Sequence, residues 1–196
     1  RADTAPARAH YQDLAAALPR TIPIFHCGKR IVAEPNPLRP GDDAVTKAGF
    51  KRIIFWDNLY CNDYCPRRQF VGPYSGRTTT PDIMLNGTGM PQTDRLLLAL
   101  MQAGDDLERW RHALVTAGVP EAFLRLARWF DKPVISGVTP TDLPAPDSAD
   151  MAAIETLLWQ WKSPLAHEWY PFLFGLKHDA LIATGMLPTE RLAKTQ

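Results

Sequence analysis

The densest group of residues that could do chemistry lies in residues 57–68, directly after the most apolar strand pattern of the chain. This segment contains two carboxylates, Asp57 and Asp63, and two thiols, Cys61 and Cys65. Side chains just beyond the end of a buried strand are held by a rigid scaffold, and such positions often carry catalytic or binding residues. The segment is therefore the leading candidate for a functional site.

A small hydrolase or transferase could use this group together with the adjacent residues His26 and Cys27. A thiol nucleophile needs a base within hydrogen-bond reach. Consecutive strand residues point to opposite faces, so His26 could not serve Cys27 if both lie in one strand. If the protein is an enzyme, the sequence offers these candidate catalytic residues: His26, Cys27, Asp57, Cys61, Asp63 and Cys65.

The three cysteines allow a metal site, a disulfide or reduced thiols. A zinc site would need His26 and Cys27 to join Cys61 and Cys65, but adjacent ligands reach one ion poorly and the spacing is unlike that of structural zinc sites. The sequence therefore predicts no metal and no cofactor. A disulfide, either Cys61–Cys65 or Cys27 with one of these two, would order an irregular loop. Three reduced thiols are the alternative.

The same region also carries aromatic and arginine side chains, the residue types most enriched at the centres of protein interfaces. Loops stiffened by proline present such side chains with less entropy to lose on binding. Our main interpretation is a non-enzymatic protein-binding domain of bacterial effector, inhibitor or immunity type, with an enzyme built on the same loop as the alternative. The predicted binding residues are Trp56, Tyr60, Tyr64, Arg67, Arg68, Phe70, Tyr74 and Arg77.

Composition narrows the class of partner. The 196 residues are 45% hydrophobic and carry a formal net charge of +1, which is typical of a globular protein and gives no overall attraction to nucleic acid or membrane. No apolar run approaches the roughly 18 residues that span a bilayer, so we expect no membrane insertion. We expect another protein as the partner. The small polar residues at the start and the odd cysteine count favour a secreted or periplasmic location.

The sequence pattern of the first half of the chain indicates mainly strands and loops. We predict a helix over residues 7–18, a β-hairpin from 21–27 and 30–33, and a buried strand over 50–56. Residues 57–91 show little periodicity and are interrupted by proline and glycine. A loop of this length inside a compact domain is usually functional.

The second half reads as helices, because apolar residues recur at helical spacing between capping residues and glycines. Trp159 and Trp161 cannot face the same side of one helix, so one of them should be exposed or should bridge to another element. The predicted fold is a single α+β domain over residues 1–196, with a small antiparallel sheet packed against four or five helices within 92–187. The predicted helices cover residues 94–103, 106–117, 120–131, 148–162 and 165–183.

Overall fold

A computed structural model of the chain describes residues 4–26, 44–62, 69–77, 82–130 and 145–188. Seven α-helices, three β-strands and one 3₁₀ turn occur in these ranges. Their order is α1 (Ala5–Ala17), β1 (Ile24–His26), α2 (Ala44–Lys47), β2 (Ile53–Asp57), β3 (Ile83–Leu85), α3 (Pro91–Ala103), α4 (Leu107–Thr116), α5 (Glu121–Leu126), the 3₁₀ turn (Ala127–Trp129), α6 (Ser148–Trp159) and α7 (Pro164–Ala183). No helix of this described part is long and apolar enough to cross a bilayer.

The three strands form one sheet in the order β1-β2-β3, and both pairs are parallel. The prediction of an antiparallel sheet is therefore wrong. The second strand of the predicted hairpin, residues 30–33, lies outside the described residues, and β1 pairs in parallel with β2. Short apolar runs show which segments are buried but not the direction in which they pair.

The predicted helices of the second half are confirmed, with their ends shifted by a few residues. The range 120–131 contains α5 and then the 3₁₀ turn, not one continuous helix. Helix α7 runs through Pro171 without interruption. Helical periodicity and end signals were therefore sufficient to find this layer. The organisation of residues 1–196 as one domain stays a prediction.

The main hydrophobic core joins the segment after β2 to the helices. Tyr60 and Phe70 are buried in the same cluster as Leu97 of α3, Phe123 of α5 and Trp169 of α7. A smaller separate cluster packs α1 and α2 against one face of the sheet, and its buried members are Ala15, Val45, Ala48 and Phe50. Described residues of the irregular segment, Tyr60 and Phe70 among them, are thus part of the interior of the fold.

Helix α3 receives its N-terminal cap from a distant residue. Helix α3 begins at Pro91, so Thr93 lies in its first turn. The Glu168 carboxylate of α7 accepts hydrogen bonds from the backbone N–H groups of Gln92 (2.9 Å) and Thr93 (2.7 Å) and from the Thr93 hydroxyl (2.7 Å). An acidic group at a helix N-terminus also interacts favourably with the helix dipole. This contact fixes α7 against α3.

Replacement of Glu168 with alanine should lower the free energy of unfolding by about 1–2 kcal/mol, because the first-turn N–H groups of α3 lose their acceptor. Urea denaturation followed by circular dichroism measures this change. The matched control is Glu108→Ala in the exposed first turn of α4, with an expected loss below about 1 kcal/mol. Equal losses in the two variants would contradict the assigned capping role.

Candidate functional site

The carboxyl ends of β2 and β3 lie at the same edge of the sheet, and an asparagine follows each strand. The Asn86 backbone N–H donates to the Asp57 carbonyl (2.9 Å), which continues the pairing of the strands by one residue. The Asn86 side-chain Nδ2 donates to Oδ1 of Asn58 (3.0 Å), and both residues are partly exposed. Ligands of parallel α/β sheets commonly bind at this carboxyl edge. The two amides form a pair where a ligand site is expected.

An exposed tryptophan lies next to the amide pair. Trp56 is 42% exposed, whereas its strand neighbours Phe55 and Asp57 are buried. Because successive strand side chains alternate between faces, Asn58 continues the face of Trp56. Asn86 likewise continues the face of Met84, which pairs with Trp56 in the sheet. One face of the sheet therefore presents an aromatic ring and then two amides toward the carboxyl edge.

The opposite face holds a buried ion pair. The Asp57 carboxylate accepts hydrogen bonds from Arg77 Nε (2.5 Å) and Nη2 (3.0 Å), from the Tyr74 hydroxyl (2.6 Å) and from the Leu59 backbone N–H (3.0 Å). The side chains of Asp57 and Arg77 are 0% and 1% exposed. The carboxylate is therefore engaged by protein donors on both oxygens. These hydrogen bonds connect the end of β2 to Leu59, Tyr74 and Arg77 of the segment that follows it.

Aromatic contacts fix the same segment to the core. Tyr60 stacks between Phe70 and Tyr74, with ring centroids 5.3 and 5.6 Å apart, and its hydroxyl donates to the Gly72 carbonyl (3.0 Å). The Trp110 indole N–H of α4 donates to the Val71 carbonyl (2.8 Å). These contacts bury most of residues 69–77 against the core, whereas Ser75 and Gly76 are exposed.

Both buried tyrosines have raised pKa values. Burial is the main cause for Tyr60, because an ionised phenolate would lose its hydration, and the neighbouring Tyr74 adds to the effect. Burial also dominates the raised pKa of Tyr74, and the adjacent Asp57 carboxylate disfavours a second negative charge there. Both phenols therefore stay protonated in the folded protein under conditions where an exposed tyrosine ionises.

We expect the protein to lose stability as the pH rises above about 10, the pKa of an unperturbed tyrosine. The unfolded chain releases the two phenolic protons there, whereas the folded protein retains them, so unfolding becomes more favourable with rising pH. Absorbance at 295 nm should show two fewer ionised tyrosines in the native than in the unfolded protein. Tyr60→Phe and Tyr74→Phe should each remove one of these delayed ionisations. Full ionisation before unfolding would contradict the assignment.

The loop after β3 is fixed by Asp94 in the first turn of α3. The Asp94 carboxylate accepts hydrogen bonds from the Thr88 backbone N–H (2.7 Å), the Thr88 hydroxyl (2.8 Å) and the Gly89 backbone N–H (3.1 Å). A side chain at Gly87 would place its Cβ 3.1 Å from both Asp94 carboxylate oxygens, which is a tight contact. The loop that carries Asn86 is thus held close to α3.

The predicted binding residues differ in their exposure in the structure. Trp56 is exposed, whereas four others are buried and contact groups within the protein. Those four are Tyr60, Phe70, Tyr74 and Arg77. The remaining three, Tyr64, Arg67 and Arg68, lie outside the described residues.

Of the six predicted catalytic residues, the structure describes three. His26, Asp57 and Cys61 are buried. Cys61 retains its thiol, so the predicted disulfides that include it are wrong. Cys27, Asp63 and Cys65 lie outside the described residues. Within the described ranges, no group of three or more histidine, cysteine or acidic residues could hold a metal ion.

Sequence reasoning missed Asn58 and Asn86 as a pair. Each follows a strand, but β3 has only three residues and lies inside the range that was predicted to be an irregular loop. Without β3, nothing in the sequence places Asn86 beside Asn58. The only available signal was that Asn58 follows the best predicted strand.

The family model for β-N-acetylglucosaminidase matches residues 3–98, a range that contains the whole sheet, Trp56 and the amide pair. Two curated relatives, the Protein O-GlcNAcase of Rattus norvegicus and that of Mus musculus, are each 34% identical over 58 residues, or 30% of this chain. These similarities point to a glycoside hydrolase-related domain. The aligned region is only 6% of the length of either relative.

The similarity changes the functional interpretation. A glycoside hydrolase-related domain agrees with the alternative prediction of a hydrolase better than with a non-enzymatic binding protein. The prediction of a bacterial effector- or immunity-type protein is wrong. That interpretation assigned the aromatic residues of 56–77 to an exposed surface, whereas Tyr60, Phe70 and Tyr74 pack inside the fold.

Proposed function

We propose that this protein supplies a sugar-binding edge to a glycoside hydrolase that acts on N-acetylglucosamine linked through a β-glycosidic bond. One observation carries the proposal: the Asn58–Asn86 amide pair lies beside the exposed Trp56 at the carboxyl edge of a parallel sheet. This edge lies inside the range that matches the β-N-acetylglucosaminidase family model.

The chemistry of the edge suits a sugar ring. An amide side chain both donates and accepts hydrogen bonds, as does each sugar hydroxyl. The exposed indole of Trp56 offers an apolar surface against which the C–H groups of a pyranose ring can pack, with a polar N–H at its rim. Asn58 and Asn86 would orient the hydroxyl groups, and Trp56 would contact the ring.

Hydrolysis of a glycosidic bond generally requires two carboxyl groups that flank the bond. Asp57 is unsuited to this work, because Arg77, Tyr74 and the Leu59 N–H already bind its two oxygens in the interior. We therefore assign Asp57 a positioning role and assign sugar binding to the amide pair. Asp63, which lies outside the described residues, stays a catalytic candidate from the sequence alone.

The substitutions Asn58→Leu and Asn86→Leu each keep the approximate volume of the side chain and remove its hydrogen-bonding groups. We expect each substitution to weaken binding of N-acetylglucosamine about tenfold, since a lost hydrogen bond corresponds to roughly 1–1.5 kcal/mol. Isothermal titration calorimetry measures this affinity. Gln102→Leu on the exposed surface of α3 is the control and should leave the affinity unchanged. Unchanged affinity in both asparagine variants would overturn the proposal.

Two further predictions from the sequence stay predictions. One is that another protein binds this chain, and the other is a secreted or periplasmic location.

A further inference from the structure

A groove of about 600 Å³ lies between α3 and α4, and Leu165 of α7 contributes to its wall. This volume falls within the range of roughly 300–1,000 Å³ that is typical of small-molecule sites. The described residues that line the groove do not include Trp56, Asn58 or Asn86. The groove is therefore a second candidate site, and binding there does not depend on sugar binding at the edge of the sheet.

Small side chains on the facing helix surfaces leave this space open. Ala99 and Ala103 of α3 and Ala113 and Ala117 of α4 line the groove. The two alanines of each helix are four residues apart, so they share one face of that helix. Leu96, which is 2% exposed, adds a larger apolar side chain to the lining. The inner part of the groove can therefore contact an apolar group of a ligand.

Basic side chains line the outer part of the groove on both helices. Arg95 of α3 and Arg109 and His112 of α4 belong to the lining, and all three are exposed. Arg109 and His112 are three residues apart and share the face of α4 that carries Ala113. In the part of the chain that the structure describes, no aspartate or glutamate lines the groove. Because the whole chain has a net charge of only +1, the groove is a local concentration of positive charge.

Both arginines have hydrogen-bond donors available to a ligand. Arg95 has no ion pair within the described ranges. Arg109 Nε lies 3.4 Å from Oδ2 of Asp106, but the two side chains are 75% and 49% exposed, and such exposed pairs are weak. A guanidinium group has five N–H donors, so this one contact leaves Arg109 able to bind an anion.

We propose that the groove binds a small organic phosphate monoester, with its phosphate bound by Arg95 and Arg109 and its apolar group packed against the alanines. A phosphate monoester carries a charge of roughly −1.5 to −2 at pH 7, which matches the charges of the two arginines. Guanidinium groups also suit the geometry of phosphate oxygens. His112 and Thr116, whose side chains lie 3.4 Å apart, add hydrogen-bonding groups to the wall formed by α4.

Isothermal titration calorimetry of the 196-residue chain with phenyl phosphate tests the proposal. We expect a dissociation constant below about 1 mM and binding at least about tenfold tighter than that of inorganic phosphate, which has no apolar group. Benzoate keeps the ring and carries a single negative charge. It should bind about tenfold more weakly than phenyl phosphate, because it makes fewer charge-assisted hydrogen bonds.

Substitutions in the groove test which residues hold the ligand. Arg95→Gln and Arg109→Gln should each weaken the binding of phenyl phosphate about tenfold, because each removes charged donors. Ala99→Leu should weaken it by at least about tenfold, because the larger side chain occupies the apolar part of the groove and leaves the charges in place. The matched control is Arg111→Gln, an exposed position of α4 outside the lining, with an expected change below about twofold.

The proposal is overturned if phenyl phosphate does not bind at up to about 10 mM, or if inorganic phosphate or benzoate binds as tightly. It is also overturned if any of the three groove variants keeps the original affinity while its circular dichroism spectrum shows a folded protein. An equal loss in Arg111→Gln would reduce the effect to general charge and would overturn the proposal as well. Binding of N-acetylglucosamine, measured on the same variants, should stay unchanged, so its absence would contradict only the proposed function.

Discussion

Replacement of Arg77 with methionine is expected to lower the free energy of unfolding by about 3–5 kcal/mol, since it leaves the Asp57 carboxylate buried without its cation. Methionine fills much of the same volume, so the loss of stability reflects the unpaired buried carboxylate more than a cavity. Asp57 and Arg77 are 0% and 1% exposed, and Tyr74 also donates to the carboxylate. Denaturant unfolding followed by tryptophan fluorescence measures the change.

An exposed ion pair of the same residue types provides the control. Arg52 and Asp82 lie 3.2 Å apart with side chains 59% and 42% exposed, and Arg52→Met should cost at most about 1 kcal/mol. A double variant, Asp57→Leu with Arg77→Met, should recover part of the loss because no unpaired charge stays buried. If Arg77→Met were as mild as Arg52→Met, the ion pair would not hold the segment after β2.

Replacement of Trp169 with alanine should destabilise the protein by a similar amount, about 3–5 kcal/mol, through the cavity left in the core. Trp169 is 1% exposed, and its ring lies against Phe123 (5.1 Å between centroids) and Trp161 (5.6 Å). Its indole N–H donates to the Thr93 hydroxyl (3.0 Å) in the first turn of α3. The side chain therefore links α7 to α5 and to α3, which follows the site loop.

Trp159 of α6 is the matched control, because it is 50% exposed and its contacts lie on the surface. Its indole N–H donates to Glu155 of the same helix (2.6 Å), so Trp159→Ala should cost about 1 kcal/mol or less. Trp169→Phe should fall between the two alanine variants, since it keeps an aromatic ring and loses the bond to Thr93. Thermal unfolding ranks the three variants, and equal midpoints for both alanine variants would refute the assigned core role.

The helices could be predicted because their signals are local. Asp147 and Asp150 form a capping box at the start of α6, and apolar residues recur at helical spacing along the following turns. Trp159 is 50% exposed and Trp161 is 9% exposed, which agrees with the first of the two alternatives predicted for this pair, although α6 ends at Trp159 and Trp161 follows it. Both results depend on residues only a few positions apart in the sequence. At that separation the local sequence pattern determines the structure.

The sheet could not be predicted to the same degree, because strand pairing depends on distant residues. The strand β2 is found near its predicted place, but its direction relative to β1 depends on the connection between them. The three residues of β3 are too few to show periodicity, and they form a strand because β2 supplies their hydrogen-bonding partners. The antiparallel prediction failed at this point.

The burial of Tyr74 and Arg77 has the same origin. Both side chains turn inward because Asp57, at the end of β2, accepts their hydrogen bonds across 17 and 20 residues of chain. From the sequence alone, arginine and tyrosine in a proline-rich segment are typical of an exposed interface. The amide pair of Asn58 and Asn86 likewise forms across 28 residues and becomes visible only when β3 is placed beside β2.

The most direct test of the proposed sugar-binding edge follows the side-chain amide resonances of Asn58 and Asn86 by ¹H–¹⁵N nuclear magnetic resonance during titration with N-acetylglucosamine. Our account predicts that these two resonances and the Trp56 indole resonance shift together and give one common dissociation constant. This constant should be larger in the Asn86→Leu variant. The contrary result is that all three resonances stay unchanged up to about 10 mM sugar. The dissociation constant would then exceed about 10 mM, which corresponds to a binding free energy of less than roughly 3 kcal/mol. Shifts confined to other resonances would place any sugar binding elsewhere on the protein.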